Sequence, residues 1–485
     1  MAATIPPTWN LIQATLQQIW GYTSFRPPQG EIVQSLLAHQ DSVIILPTGG
    51  GKSICFQLPA LLQPGLTLVV SPLVALMENQ VQELLDLQPN LRQSVALLHS
   101  ELSAFDRKRI LGLLEQQKLR LLYLSPETLF STAVWQRLCQ PNFRINSLIL
   151  DEAHCLVQWG DTFRPAYYRL GAVRSSLLPY QPANHRMAIA AFTATADPQA
   201  QETIQRVLQL EDPQIFRLNP YRSNLHLIVQ VAWSPRQRYQ KVWRFIQARS
   251  AQTGLVYVRT RRDSETLAAS LQTQGLRTAA YHAGLSPESR RAIEQAWLSD
   301  RLQFVICTNA FGMGVNKSDV RWVVHFHTPL LLSEYVQEVG RAGRDGKPAT
   351  ALTLISETTG WLDAEDKQRR QFFLEHQQQQ LQAAQKLMQQ LPLEGEVSAV
   401  VKQFPQGAIA LALLHQAGCL EWTDPFHYQM TNRKAGKLGQ SNAIAAQQMT
   451  NYLKTKRCRW QFLLEGFGFG TEAENWRCGH CDHCC

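Results

Sequence analysis

Ser42-Val-Ile-Ile-Leu-Pro-Thr-Gly-Gly-Gly-Lys-Ser53 decides the reading of this chain. Residues 42–46 form an apolar run of strand length, residues 47–51 a turn built of Pro and Gly, and a helical pattern begins at Lys52. A glycine turn at a helix N-terminus presents bare backbone amides to an anion, and the helix dipole favours negative charge there. Thr48, Gly49, Gly50 and Gly51 would cradle a polyphosphate, Lys52 would neutralise its β- and γ-phosphates, and the Ser53 hydroxyl would ligate Mg²⁺. Leu46 stands where the strict form of this pattern has glycine.

On either side of this loop, short apolar runs alternate with helical stretches. The first series is 42–46, 66–73, 119–126, 146–154 and 187–196; the second is 254–260, 277–284, 303–310, 320–327 and 349–355. Near-continuous apolar strands separated by helices predict parallel sheets covered on both faces, hence an α/β fold with two lobes joined near residues 212–224. A ligand is expected at the carboxyl ends of such strands. After residue 356 the character changes. Residues 361–390 are Gln-rich with apolar positions at helical spacing, and Leu391-Pro-Leu-Glu-Gly395 breaks that helix. Val397–Tyr428 offers two helices and two strands, readable either as a small winged helix or as a generic helical appendage. The expected domains are 1–215, 216–356, 357–440 and 441–485.

The 485 residues exceed one hydrophobic core, and 45% apolar with 18% charged residues excludes wholesale disorder. The net charge of +9 favours a polyanion partner only weakly by itself. Trp361–Cys485 holds 13 basic and 12 acidic residues, which leaves +8 to the two lobes. Thr431–Trp460 nonetheless carries seven basic residues and no acidic one. The N-terminus lacks a basic start and an apolar run of signal length, and the most apolar window, Leu66–Met77, is only about a dozen residues, too short for a bilayer. Five of the ten cysteines are scattered and five crowd the last 28 positions, which is no secreted disulfide framework. A soluble, cytoplasmic protein of a reducing compartment is expected, nucleoid-associated if the source is bacterial.

Two further elements belong with the phosphate loop. Leu148-Ile-Leu-Asp151-Glu152-Ala-His154 ends an apolar strand in carboxylates. Asp151 would hold Mg²⁺ and Glu152 would polarise the attacking water, with His154 beside them; about 100 residues after a phosphate loop, this pair points to nucleoside triphosphate hydrolysis. Gln337-Glu-Val-Gly-Arg341-Ala-Gly-Arg344 lies in the second lobe. There Arg344 is the candidate cation for charge developing on the γ-phosphoryl group, with Arg341 and Gln337 counted in the same catalytic set.

Together these motifs resemble the RecQ family of DNA helicases, within helicase superfamily 2, over about Tyr22–Ile355 and again at the C-terminal cysteines. The resemblance implies two tandem RecA-like lobes. Gly21-Tyr22-Thr-Ser-Phe25-Arg26-Pro-Pro-Gln29 is similar to the adenine-recognition motif, implying that Tyr22 stacks on the base, Gln29 bonds its edge and Arg26 supports the nucleotide. Ser71-Pro-Leu-Val-Ala-Leu-Met-Glu-Asn-Gln-Val81 resembles the motif that touches the DNA backbone, and Phe192-Thr193-Ala-Thr195 the motif that couples hydrolysis to strand movement. Tyr281-His282-Ala-Gly and Thr308-Asn-Ala-Phe-Gly312-Met-Gly314-Val-Asn316-Lys317 match second-lobe motifs, with Thr308, Asn316 and Lys317 implied as DNA contacts. Trp159-Gly-Asp-Thr-Phe163-Arg164 resembles the aromatic-rich loop that senses single-stranded DNA: aromatic faces stack on any base, and arginine adds a phosphate contact. Asp161-Thr162 replace the His-Asp usual there, a departure that bears on how DNA sensing drives hydrolysis.

Cys478-Gly-His-Cys481-Asp-His-Cys484, with Cys458 upstream, supplies four thiolates at spacings suited to structural Zn²⁺, with His480, His483 and Cys485 as competing donors. The arrangement resembles the RecQ zinc-binding module, whose four cysteines match Cys458, Cys478, Cys481 and Cys484. The family's winged helix usually follows that module; here the winged-helix-like stretch precedes it. The resemblance therefore implies an ATP-, Mg²⁺- and Zn²⁺-dependent helicase, a short form ending at the zinc module. It would move 3′ to 5′ on single-stranded DNA and unwind tailed or branched duplexes in recombination and repair, with a monomer as the working expectation. A non-enzymatic zinc and winged-helix DNA-binding protein and an RNA-directed remodelling ATPase are the competing readings.

Overall fold

The computed structural model describes residues 7–157, 164–311, 317–357, 361–431 and 440–485. The chain divides into two compact units, Met1–Leu218 with Gln377–Gly439, and Asn219–His376 with Gln440–Cys485. The region 357–440 is thus shared between them, the chain passing from the second unit to the first within the Gln-rich helix Glu365–Met388.

The first unit is built on a seven-stranded parallel sheet. Its strands are β1 (Ser42–Ile45), β2 (Leu66–Val70), β3 (Val95–Leu98), β4 (Leu121–Leu124), β5 (Ile145–Leu150), β6 (Ala188–Thr193) and β7 (Gln214–Arg217), in the order β3-β4-β2-β5-β6-β1-β7. The five inner strands are buried along their whole length, as near-continuous apolar runs require when helices cover both faces. Asp41 fastens the amino-terminal edge of this sheet. Its carboxylate accepts from Arg174 Nη1 at 2.7 and 2.8 Å, from the Ile189 amide at 2.8 Å and from the Glu211 amide at 2.7 Å. A buried carboxylate with this many donors is held in one geometry, and that geometry aligns β1 with β6 and with the approach to β7.

The second unit has its own six-stranded parallel sheet. Its strands are β8 (Leu225–Ala232), β9 (Gly254–Tyr257), β10 (Thr278–Tyr281), β11 (Phe304–Cys307), β12 (Trp322–His325) and β13 (Ala349–Ser356), in the order β10-β11-β9-β12-β13-β8. The fully buried Arg238 binds Asp363 at 3.0 Å, Asp366 at 3.1 Å and the Phe326 carbonyl at 2.6 Å, which anchors the start of the Gln-rich helix.

Ten of these strands overlap the predicted runs, and every run but that of β13 was wider than its strand. β3, β7 and β8 were not anticipated. β7 is a mostly exposed edge strand and β8 carries His226 and Gln230 within its apolar pattern, so neither reads as a buried parallel strand. Within the first unit, β14 (Glu394–Glu396), the helices Val397–Gln403 and Gly407–Gln416, β15 (Leu420–Asp424) and β16 (His427–Met430) form a small module. Its three-stranded antiparallel sheet has the order β14-β16-β15, which gives the helix–helix–hairpin order expected of a winged-helix-like part. Among the described residues, no helix is long and apolar enough to cross a membrane.

Candidate functional site

The sheet order explains how distant motifs meet. β1, β6, β5 and β2 are consecutive neighbours, with Ile45 beside Thr193, Ile149 beside Ala190 and Val70 beside Leu150. Residues that follow these strands therefore share one carboxyl-end crevice, although up to about 140 positions separate them, as open α/β sheets arrange their ligand sites.

The phosphate loop leaves β1 and enters the helix Lys52–Leu62 through Gly51, whose φ of 71° lies in the left-handed region. Gly49 is at φ 83°, so two of the three glycines are required by conformation. A Cβ on Gly51 would also lie 2.3 Å from Gln29 Nε2. Gln29 is itself buried: its amide donates to the Gly50 carbonyl at 3.0 Å, and its Oε1 accepts the Arg26 amide at 3.0 Å. The adenine-motif glutamine is thus braced against the phosphate loop, while Tyr22 is half exposed. Lys52 Nζ donates to the Leu46 carbonyl at 3.3 Å, so the residue in the place of the usual glycine contributes its backbone oxygen.

Asp151 and Glu152 follow β5. Asp151 is buried, accepts from Gln80 Nε2 at 2.8 Å and caps the Glu152 amide at 3.0 Å. Burial, with Glu152 adjacent, pushes its carboxyl up to about 6, and Lys52 acts in the opposite sense. A divalent cation would remove that penalty, which is the behaviour of a carboxylate arranged for Mg²⁺. Glu152 sits at φ 54°, a conformation that costs a non-glycine residue about 1–3 kcal/mol and that concentrates at functional sites. The turn aims its carboxylate back at His154, whose Nδ1 lies 3.1 Å from Glu152 Oε2 and 3.3 Å from Thr193 Oγ1. Thr193 Oγ1 in turn accepts the Thr195 amide at 3.3 Å. The hydrolysis motif and the coupling motif are therefore joined through one histidine. Gln80 was missed as a partner of Asp151, because nothing in a helical Gln announces which strand end it faces.

In the second unit, Gln337 lies on the helix Leu332–Val339 and Arg341 and Arg344 follow it. Arg341 hydrogen-bonds with Tyr257 at the carboxyl end of β9. Gly343, at φ 61°, turns the chain between the arginines; its carbonyl accepts from Arg222 and from Asn224 Nδ2 at 2.8 Å. Glu338 beside them is buried. Burial opposes its ionisation, but Arg259 at 3.1 Å and His325 at 2.9 Å outweigh that and hold its carboxyl below the ordinary value.

The DNA-contact expectations fare less evenly. Trp159, Phe163 and Asn316 lie outside the described residues, as do Asp161, Thr162, Gly312 and Gly314. Arg164 is half exposed, 3.7 Å from Glu127. Ser71 is buried at the end of β2, and its hydroxyl has no hydrogen-bond partner among the described residues. Thr308 is buried too. Lys317, expected alongside them as a DNA contact, has its ammonium buried against Asp300 at 2.9 Å and Asp319 at 3.2 Å.

The cysteines converge as a tetrad. The sulfurs of Cys458, Cys478, Cys481 and Cys484 all lie within 4.8 Å of one another, with Cys478 to Cys484 at 3.8 Å and Cys481 to Cys458 at 4.0 Å. A tetrahedron with Zn–S bonds of about 2.3 Å has S···S edges of about 3.8 Å, so the donor set fits Zn²⁺. The amides of Cys478, His480 and Arg459 point at these sulfurs from 3.3–3.4 Å, which stabilises thiolates. His480 Nδ1 instead meets the Cys478 carbonyl at 2.7 Å, and Cys485 is exposed and bonded to the Gly479 carbonyl. Neither belongs to the tetrad, nor does His483.

Two parallel-sheet lobes, a phosphate loop beside an Asp-Glu pair, and a separate four-thiolate module define a helicase-type nucleotide hydrolase. Family models bear this out: the DEAD/DEAH box helicase model matches residues 26–204, the helicase conserved C-terminal domain 237–346, and the RecQ zinc-binding model 427–485. The ATP-dependent DNA helicase RecQ of Synechocystis is 51% identical over 98% of both chains. The probable ATP-dependent DNA helicase RecS of Bacillus subtilis is 38% identical over 71% of this chain and 66% of its own. The chain belongs to the RecQ family of ATP-dependent DNA helicases. Among solved structures, the DUF1998 helicase MrfA bound to DNA shares the fold with a TM-score of 0.60 at 16% identity, covering 87% of this chain and 63% of that one. Mycobacterium smegmatis Lhr bound to single-stranded DNA and AMP-PNP does so at 0.57 and 17%, covering 89% and 60%.

Proposed function

We propose that this protein couples ATP hydrolysis to 3′-to-5′ movement on single-stranded DNA, separating tailed and branched duplexes in recombination and repair. The observation that carries the reading is the meeting of Lys52, Asp151, Glu152, His154 and Thr193 at the carboxyl ends of neighbouring strands. In this reading Tyr22, Arg26 and Gln29 select adenine, and Gly49, Gly50, Gly51 and Lys52 hold the phosphates. Ser53 and Asp151 hold Mg²⁺, which supplies charge neutralisation at the phosphoryl oxygens. Glu152 orients and deprotonates the attacking water, with His154 passing its position to Thr193. Arg341 and Arg344 meet the charge that develops on the transferred group, and Gln337 completes that set. Trp159, Phe163 and Arg164 take the single strand by stacking and charge. Ser71, Thr308, Asn316 and Lys317 complete the contacts to the strand. Zn²⁺ in the cysteine tetrad is structural, because four protein ligands leave no open position.

The test is ATP-dependent separation of 3′-tailed against 5′-tailed duplex DNA, with Lys52→Ala as control. Unwinding of the 3′-tailed substrate alone, abolished in the variant, is the expected result. Preference for the 5′ tail overturns the polarity, and no unwinding of either substrate overturns the helicase reading.

A further inference from the structure

The winged-helix-like module does not carry the charge of a duplex-binding wing. Over residues 393–430 it has four carboxylates, Glu394, Glu396, Glu421 and Asp424, against the single cation Lys402. A surface of that sign repels phosphate, whose neutralisation is the main source of DNA affinity. What the module does engage is the short turn Pro165–Arg169, which directly follows the aromatic-rich segment.

That engagement is specific. Helix Gly407–Gln416 packs along the turn, where the Tyr168 ring meets His415 edge-on at 6.4 Å and His415 meets Trp422 at 5.6 Å. Arg169 donates to the Pro425 carbonyl at 3.0 Å while its guanidinium lies 4.5 Å from the centre of the Phe130 ring. Phe426 enters the same pocket, edge-on to Phe130 at 6.1 Å and to Trp135 at 5.3 Å. On its other side, the fully buried Tyr168 donates its hydroxyl to the Leu156 carbonyl at 2.6 Å. Leu156 ends the turn Ala153–Leu156, which begins immediately after Glu152. Two buried contacts therefore separate the module from the hydrolysis motif.

We propose that residues 394–430 are an internal brace on Pro165–Arg169, and that the brace sets how strongly single-stranded DNA at the adjoining segment accelerates ATP hydrolysis. Tyr168 is the positioning residue that joins the brace to the turn after Glu152. The inference rests on the helicase reading above. It needs no contact between the module and DNA.

Steady-state ATP turnover of the full chain, with and without saturating oligo(dT), tests it alongside fluorescence anisotropy for oligo(dT) affinity. Tyr168→Phe deletes one hydroxyl and keeps the ring; Phe426→Ala empties the pocket, and Phe426→Leu partly refills it. In Tyr168→Phe and Phe426→Ala, the DNA-stimulated kcat is expected to fall about fivefold. Turnover without DNA and the Kd for oligo(dT) stay at the wild-type level, and Phe426→Leu recovers part of the loss. Stimulation at the wild-type level in Tyr168→Phe overturns the brace, and that variant decides the matter if Phe426→Ala does not fold. Weakened DNA binding with full stimulation at saturation also overturns it, by making the module a binding surface. A wild-type protein whose turnover ignores DNA overturns the helicase reading and the brace with it, whereas a stimulated wild type with equally stimulated variants removes the brace alone.

Discussion

The two lobes each carry an appendage, and the two are attached by different physics. On the second lobe, the zinc module closes a sheet edge. β8 is the last strand of its sheet, and Asp482, between two zinc-ligand candidates, pairs with it as a strand would: its amide donates to the Leu227 carbonyl at 3.1 Å and its carboxylate accepts the Val229 amide at 2.8 Å. The same carboxylate holds the buried Arg459 at 2.9 and 3.0 Å, and Trp460 Nε1 donates to the Leu225 carbonyl at 3.1 Å. An edge strand is an unfinished hydrogen-bond ladder, so capping it this way also guards against association. On the first lobe, the module 394–430 is held against a turn by rings and an arginine. A ladder fixed by metal suits a permanent part; a ring pocket beside the hydrolysis motif suits a part whose docking strength matters to turnover.

The largest effect should come from removing the metal. Chelation at neutral pH, or Cys481→Ser, is expected to cost the zinc module on the order of 10 kcal/mol of folding free energy. Hydrogen exchange should then speed up at the Asp482 and Val229 amides while the first unit's sheet stays protected. Equal loss in both units would erase the contrast. Next, Asp482→Ala leaves the buried Arg459 guanidinium and the Val229 amide unsatisfied and should cost about 3 kcal/mol in urea unfolding, with zinc content unchanged. Slightly smaller is Phe426→Ala, at about 2–3 kcal/mol because the ring is only partly buried, read as faster exchange in the module 394–430 alone.

The smallest effect is a pH dependence that should belong to the first unit's module. Burial lowers the His415 pKa to about 4, while its bond to the Leu420 carbonyl acts the other way. A histidine buried neutral binds its proton more readily when unfolded, so its stabilising contribution is intact above about pH 6.5 and is lost as pH falls towards 4. Between pH 7 and pH 5 the loss should be about 2 kcal/mol, visible as exchange in helix Gly407–Gln416 and absent in His415→Gln. Because protons also compete for thiolates, the comparison is made with excess Zn²⁺ present.

Much of the site could be read in one dimension because its chemistry is local. A glycine turn after an apolar run, an Asp-Glu pair ending another, and CxxC spacing each need only a few neighbouring residues to declare what they are for. Gln80, Thr193 as the partner of His154, and the Asp41–Arg174 clasp were not legible in this way, since a polar side chain names its partner only once strand order is known. Lys317 is a further case: its motif resembles a DNA contact, and only the structure adds its ion pairs with Asp300 and Asp319.

The amino-acid sequence by itself determined the two parallel-sheet lobes, the phosphate and hydrolysis motifs, and the four thiolates, because periodicity, glycine turns and ligand spacing are properties of short stretches. Only the tertiary structure decided which strand ends lie side by side, that the acidic module docks on the turn after the aromatic-rich segment, and that Asp482 completes the edge of the second sheet. Those are contacts between residues as much as about 260 positions apart, and their free energy depends on neighbours that only folding supplies.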